Sequence, residues 1–165
     1  MQANTQVKQE QGSGQFLTFY LGAEAYGVDI LRVQEIRGWE SVRSLPDAPK
    51  HVKGVLDLRG IIVPIIDLRL RFGNPEPRYE STTVVIIVAV GEGDASHLVG
   101  IVVDGVSDVL DAAETEIKPP PKLAGSIGQH YLHGMVSMAQ GMVILVDIDS
   151  MLGEGDLADL EKLGT

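Results

Sequence analysis

The chain has 165 residues, of which 23 are acidic and 13 basic, giving a formal net charge of −10, and 44% are apolar. That is enough for one ordinary domain with a buried core, and its singly scattered cations argue against nucleic acid or an anionic membrane surface as a direct partner. With no cysteine, disulfides, thiolate chemistry and cysteine-ligated zinc are excluded.

Residues 1–14 are polar and Gln-rich, without an apolar h-region, and read as a disordered arm. FLTFYL, 16–21, is the first strand-like run; a Gly-containing turn and the alternating segment GVDILRVQEI, 27–36, follow. Two apolar runs, VLDL and IIVPII, are then separated by Arg59 and Gly60, which predicts a hairpin with a long cation at its tip. Pro64 removes a ladder donor and predicts an edge strand or a bulge. Asp67, with Gly73 six residues on, predicts a short helical turn with Asp as N-cap and Gly beyond its end.

VVIIVAV, 84–90, opens the second half of the chain. It is the longest uninterrupted apolar run and falls far short of the roughly 20 residues that span a bilayer, so a soluble, cytoplasmic protein is expected. Beyond GIVVDGVSDV, 100–109, the stretch EIKPPPKLAGSIGQHYLHG carries Pro119, Pro120 and Pro121 and reads as an extended, stiff loop. In the tail 154–165, DLADLEKL predicts a short helix with Leu157, Leu160 and Leu163 on one face.

The two halves repeat. GVDILRVQEI lies over GIVVDGVSDV at a separation of 73, pairing Gly27 with Gly100, Val33 with Val106, Glu35 with Asp108 and Ile36 with Val109. GVLDLRGIIVPIIDLRLRFG, 54–73, lies over GMVSMAQGMVILVDIDSMLG, 134–153, at a separation of 80 without a gap. Two matches in the same order indicate two copies of one unit, 15–80 and 81–153. About five short strands per unit with Gly and Pro turns predict an all-β fold of two small closed barrels sharing a seam; whether the barrels exchange strands stays open at this point. Asp67 and Asp147 then read as a matched pair of helix caps rather than paired catalytic acids.

A residue required by the fold should recur in both copies. Arg59 does not: Ala139 takes its place, so the turn can form without a cation. No G-x-x-x-x-G-K-[ST] loop, G-x-S-x-G elbow or metal-ligand constellation occurs; His130 and His133, three apart, lack a carboxylate cluster and read as an ordinary surface pair. The residues by themselves therefore point to a binding module without cofactor or metal, not to an enzyme.

The motifs LGAEAYGVDILRVQEIRG, HVKGVLDLRGIIVPIIDLRLRFG, VGIVVDGVSDVL and YLHGMVSMAQGMVILVDI, in this order from Gln15 to Gly153, resemble the CheW family, the coupling proteins of bacterial chemotaxis. The resemblance implies two five-stranded SH3-like barrels around a common hydrophobic seam. It also implies a non-enzymatic adaptor joining methyl-accepting chemotaxis receptors to the regulatory domain of the histidine kinase CheA, and recruited to membrane receptor arrays. Carried over by residue, receptor binding falls on Val33, Glu35, Ile36, Arg59 and Val106, and kinase binding on Ile117, Lys118, Lys122 and Leu123. Where the family usually reads N-L-R-G this chain has Asp57-Leu58-Arg59-Gly60, and a carboxylate on the same side of the strand is expected to attract the Arg59 guanidinium. Two other readings stay open at this point: a coupler of a related non-flagellar chemosensory array, and a small-molecule-binding barrel that uses the cleft between units.

Overall fold

The computed structural model describes residues 13–40, 52–72, 76–91, 93, 96–113, 116–119, 132–139 and 141–152. The arm expected over 1–14, apart from its last two residues, and the C-terminal helix expected in 154–165 lie outside the described residues, as do Gly73 and Gly153.

The described residues form ten strands: β1 (Gln15–Leu21), β2 (Glu24–Asp29), β3 (Val33–Gly38), β4 (Val52–Leu58), β5 (Ile61–Asp67), β6 (Val84–Val90), β7 (His97–Val103), β8 (Gly105–Asp111), β9 (Leu132–Met138) and β10 (Gly141–Val146). A 3₁₀ turn (Ile30–Arg32) separates β2 from β3, and two short helices, α1 (Leu68–Arg71) and α2 (Ile148–Leu152), follow β5 and β10. The segment 27–36 reads as one alternating strand but is broken here, because Asp29 Oδ1 accepts the N–H of Leu31 at 2.9 Å and caps a turn of 3₁₀ helix.

That break moves the chain from one sheet to the other. The first sheet runs β8-β1-β2-β10-β9 and the second β3-β6-β7-β5-β4. Exchanging each strand for its counterpart in the other copy converts one order into the other, so the two sheets are pseudo-equivalent. Neither sheet coincides with one sequence unit: the last three strands of each unit pair with the first two of the other. Among the described residues no ladder joins β8 to β9 or β3 to β4. The expected closed barrels are therefore two open five-stranded sheets.

Both faces of the inner strands are buried, and period-2 alternation assigns each residue to one of two cores. In β6, Val85 and Ile87 join a private core of the second sheet with Val63, Ile65 and Val102, whereas Ile86, Val88 and Val90 join the shared core with Phe19 and Val28 of the first sheet. Phe16, Val143 and Leu145 anchor the private core of the first sheet. The recurring glycines follow from this packing: a Cβ on Gly27 would meet Leu145 Cδ2 at 2.9 Å, and one on Gly100 would meet Ile65 Cδ1 at 2.5 Å.

Pro64 lies on an inner strand, not an edge. Pairing of β5 with β7 begins only at Ile65, however, so the missing N–H falls where β5 has β4 alone as a neighbour. Asp67 caps α1 through the N–H of Arg69 at 3.0 Å, and Asp147 caps α2 through the N–H of Ser150 at 3.2 Å.

Candidate functional site

The β4–β5 hairpin closes through two residues, Arg59 and Gly60, with φ of 52° and 89°. Positive φ at both central positions is the I′ geometry, whose twist matches the flanking strands. Gly adopts it freely; Arg59 is the one non-Gly residue with positive φ among the described residues, at a cost of about 1–2 kcal/mol. Asp57 Oδ1 accepts the Gly60 N–H at 2.8 Å, which corrects the expected attraction between Asp57 and Arg59. The guanidinium instead donates to Glu35 Oε1 on β3 at 3.0 Å, with the Arg59 side chain 75% exposed.

This contact ties together the two ends of the second sheet, since β3 and β4 are its outer strands. The first sheet has Asp108 where the second has Glu35, and Ala139 where it has Arg59. Between β8 and the β9–β10 hairpin it opens into a trough of about 620 Å³, lined among others by Tyr20, Glu24, Asp108, Val109, Met138 and Met142. Its volume is that of a small-molecule site, but Val109, Met138 and Met142 are among the exposed large apolar residues. An enclosed site burying most of a ligand would hide them.

The remaining expected receptor contacts divide into two kinds. Val33 and Val106, equivalent in the repeat, are half-buried and pack against the shared core, each near the start of a strand that has just crossed between sheets. Ile36 is exposed, in step with the alternating burial along β3. Ile61 and Ile62, 54% and 61% exposed beside Arg59, open the run IIVPII, whose apolar pattern marks a strand but not their exposure. Two adjacent isoleucines on a strand must point to opposite faces, and a turn flanked by both was the available signal.

Of the expected kinase contacts, Lys122 and Leu123 lie outside the described residues. Lys118 forms a two-way backbone bridge with Met135 on β9, at 2.9 and 3.0 Å, and is exposed. Ile117 spends its side chain on the private core of the first sheet, in the space left by the missing Cβ of Gly134. It anchors the base of the loop.

A buried network near the seam was not anticipated. Arg69, 1% exposed, donates from Nε and Nη2 to the two oxygens of fully buried Asp67, at 3.0 and 2.9 Å. The Tyr79 hydroxyl donates to Asp67 Oδ2 at 2.5 Å. Burial disfavours the charge on Arg69, but hydrogen bonds and attraction from Asp67 and Asp104 outweigh it and hold the guanidinium above its ordinary value. Burial, reinforced by Asp67, pushes the Tyr79 phenol up as well. The shared geometry is structural: every partner in it is already satisfied. His133 is exposed, and His130 lies outside the described residues. Among the described residues no group of three or more His, Cys, Asp or Glu could hold a metal ion, and no helix is long and apolar enough to cross a membrane.

Comparison with known proteins agrees with this architecture. The CheW-like domain family matches residues 15–155. A chemotaxis protein CheW from Klebsiella aerogenes is 46% identical over 149 residues, covering 90% of this chain and 87% of its own. One from Rhizobium meliloti is 34% identical over 140 residues, covering 85% and 88%. The crystal structure of the scaffolding protein TtCheW from Thermoanaerobacter tengcongensis superposes with a TM-score of 0.76 at 29% identity, covering 87% of this chain and 94% of that one. With two five-stranded SH3-like sheets, ordered motifs from end to end of the match and relatives above 30% identity across most of their length, the chain belongs to the CheW family.

Proposed function

We propose that the chain is a non-catalytic scaffold of bacterial chemotaxis that couples methyl-accepting receptors to the histidine kinase CheA in the cytoplasm, at membrane receptor arrays. Family membership supports the class of function. The observation that carries the site is Arg59: an arginine kept at a backbone conformation unfavourable to it, exposed beside apolar side chains, at a turn whose counterpart does without one. A helical receptor hairpin would bury Val33, Ile36 and Val106, while Arg59 and Glu35 orient it through polar contacts at the rim. The kinase regulatory domain would meet the loop that carries Ile117, Lys118, Lys122 and Leu123.

Mixing the protein with CheA and receptor-bearing membranes is expected to raise kinase autophosphorylation above that of CheA and receptors alone. Absence of a ternary assembly at micromolar concentrations would overturn the reading, as would turnover of a substrate by the isolated chain.

A further inference from the structure

Two ion-pair clusters occupy equivalent places in the two halves, with their charges exchanged. In the first, Arg69 Nη1 on α1 donates to Asp104 Oδ1 at 3.0 Å, and Asp104 Oδ2 accepts the N–H of Gly22 at 2.7 Å. Asp104 is the single residue between β7 and β8, and Gly22 follows β1. In the second, Arg32 donates to both oxygens of Asp149 on α2, at 3.1 and 2.6 Å, and Asp149 Oδ1 accepts the N–H of Gly91 at 2.9 Å. Arg32 closes the turn between β2 and β3, and Gly91 follows β6.

The repeat places Arg69 on Asp149. The short helix thus carries the cation in one half and the anion in the other, and the crossover carries the opposite charge each time. A residue inherited unchanged from a duplicated ancestor would recur as itself. What recurs here is the attraction and one shared contact, a carboxylate that holds a guanidinium and the first N–H beyond β1 or β6, with Arg32 one position from Asp104 in the repeat. Each cluster also spans both sheets. It links the helix that follows one sheet's inner strand, the hairpin turn of the other sheet, and the segment crossing between them.

We propose that Arg32 and Arg69 are positioning residues for docking: the two clamps fix the setting of one sheet against the other and so present the crossing strands β3 and β8 to the receptor. Val33 directly follows Arg32, and Val106 lies two residues beyond Asp104. The link to the receptor rests on the docking reading above; the effect on sheet setting does not.

The chain has no cysteine, so Ser137→Cys on the first sheet and His97→Cys on the second, both exposed, give two unique spin-label sites in the full-length protein. Asp149→Arg, which sets two guanidiniums against each other, is expected to broaden the distance distribution and to weaken binding to receptor-bearing membranes by about tenfold. Arg32→Asp with Asp149→Arg is expected to narrow the distribution again and restore binding to within about threefold. If Asp149→Arg fails to fold, Arg32→Gln against Arg32→Lys makes the same comparison, with Lys alone keeping the narrow distribution. A distribution unchanged by loss of the pair overturns the proposal, and so does a folded reversed pair that restores neither readout. If wild-type protein does not bind receptor while the distances behave as expected, the receptor reading falls and the positioning role stands.

Discussion

Replacing Arg59 with Asn is expected to separate docking from folding. The turn holds φ of 52° and 89° at Arg59 and Gly60, and Asn-Gly is the preferred pair for that geometry. Asn therefore recovers part of the roughly 1–2 kcal/mol that an ordinary side chain loses in the left-handed region. The substitution also removes the 3.0 Å pair with Glu35, but the Arg59 side chain is 75% exposed, and such pairs contribute about 0–1 kcal/mol. The two effects oppose each other and are of similar size. Unfolding free energy should stay within about 1 kcal/mol of wild type, which moves Tm by no more than about 2–4 °C for a domain of this size.

Docking has no such compensation. An arginine at the edge of a desolvated apolar contact costs about 2 kcal/mol or more when truncated, or roughly 30-fold in Kd. Urea denaturation and titration against a receptor's cytoplasmic hairpin, on the same preparation, read both quantities. A variant that binds like wild type refutes the assignment, and one whose binding falls only in step with its stability reduces Arg59 to a structural residue. Asp57→Asn serves as the control: an amide oxygen can accept the Gly60 N–H as the carboxylate does at 2.8 Å, so neither stability nor binding should change.

The buried cluster allows a matched comparison. Asp67→Ala leaves the guanidinium of Arg69 without its main partner in a site 1% exposed and should cost about 3–5 kcal/mol, whereas Asp147→Ala removes a cap on Ser150 and should cost about 1 kcal/mol; equal losses in denaturation would contradict the difference. In Gly134→Ala the new Cβ would lie 2.5 Å from Ile117 Cγ2 and 2.7 Å from the Lys118 carbonyl oxygen. A cost of about 1–3 kcal/mol is expected, with faster hydrogen exchange at Lys118 and Met135 and weaker CheA binding; unaltered kinase affinity despite lost protection would detach the loop from that role. Tyr79 holds its proton more tightly in the folded state than at the ordinary value of 10.0, so its stabilisation is complete below pH 10 and lost as pH rises beyond it. Tyr79→Phe should be about 1–2 kcal/mol less stable at pH 7, where Asp67 loses a hydrogen bond, and should show a shallower loss of stability above pH 10. Tyr26, raised by burial and by Glu24, sustains the remaining alkaline slope.

The strands were legible because both signals that make them are local. Apolar alternation and Gly-containing turns mark β1, β4, β5, β6 and β10, and the repeat exposed Gly27 and Gly100 before their neighbours were known. Their missing Cβ atoms make room for Leu145 and Ile65, a requirement each copy meets separately. The exchange of strands was not legible, since a strand reads the same whichever sheet it enters. The alternation does change phase at the adjacent Ile30 and Leu31, where the chain changes sheets, but a shift of phase does not say which sheet the next strand enters. Arg69 is hidden behind the cap, since capping accounts for Asp67 without calling for the carboxylate's second partner two residues on. Its replacement by Asp149 in the second copy was the signal that could have revealed it.

An exchanged duplication also bears on how one small scaffold can hold two unlike partners. Perfect repetition would present the same surface twice, and a molecule built that way would join two copies of one partner. Here the shared core is common to both sheets, but the outer contacts diverge at two matched positions, Arg59 over Ala139 and Glu35 over Asp108. Arg59 reaches Glu35 and draws the ends of the second sheet together, while Ala139 cannot reach Asp108 and the first sheet stays open along its trough. A few side-chain differences at the sheet ends, Arg59 over Ala139 foremost, make two faces of one repeated surface chemically distinct while the seam between them keeps its form.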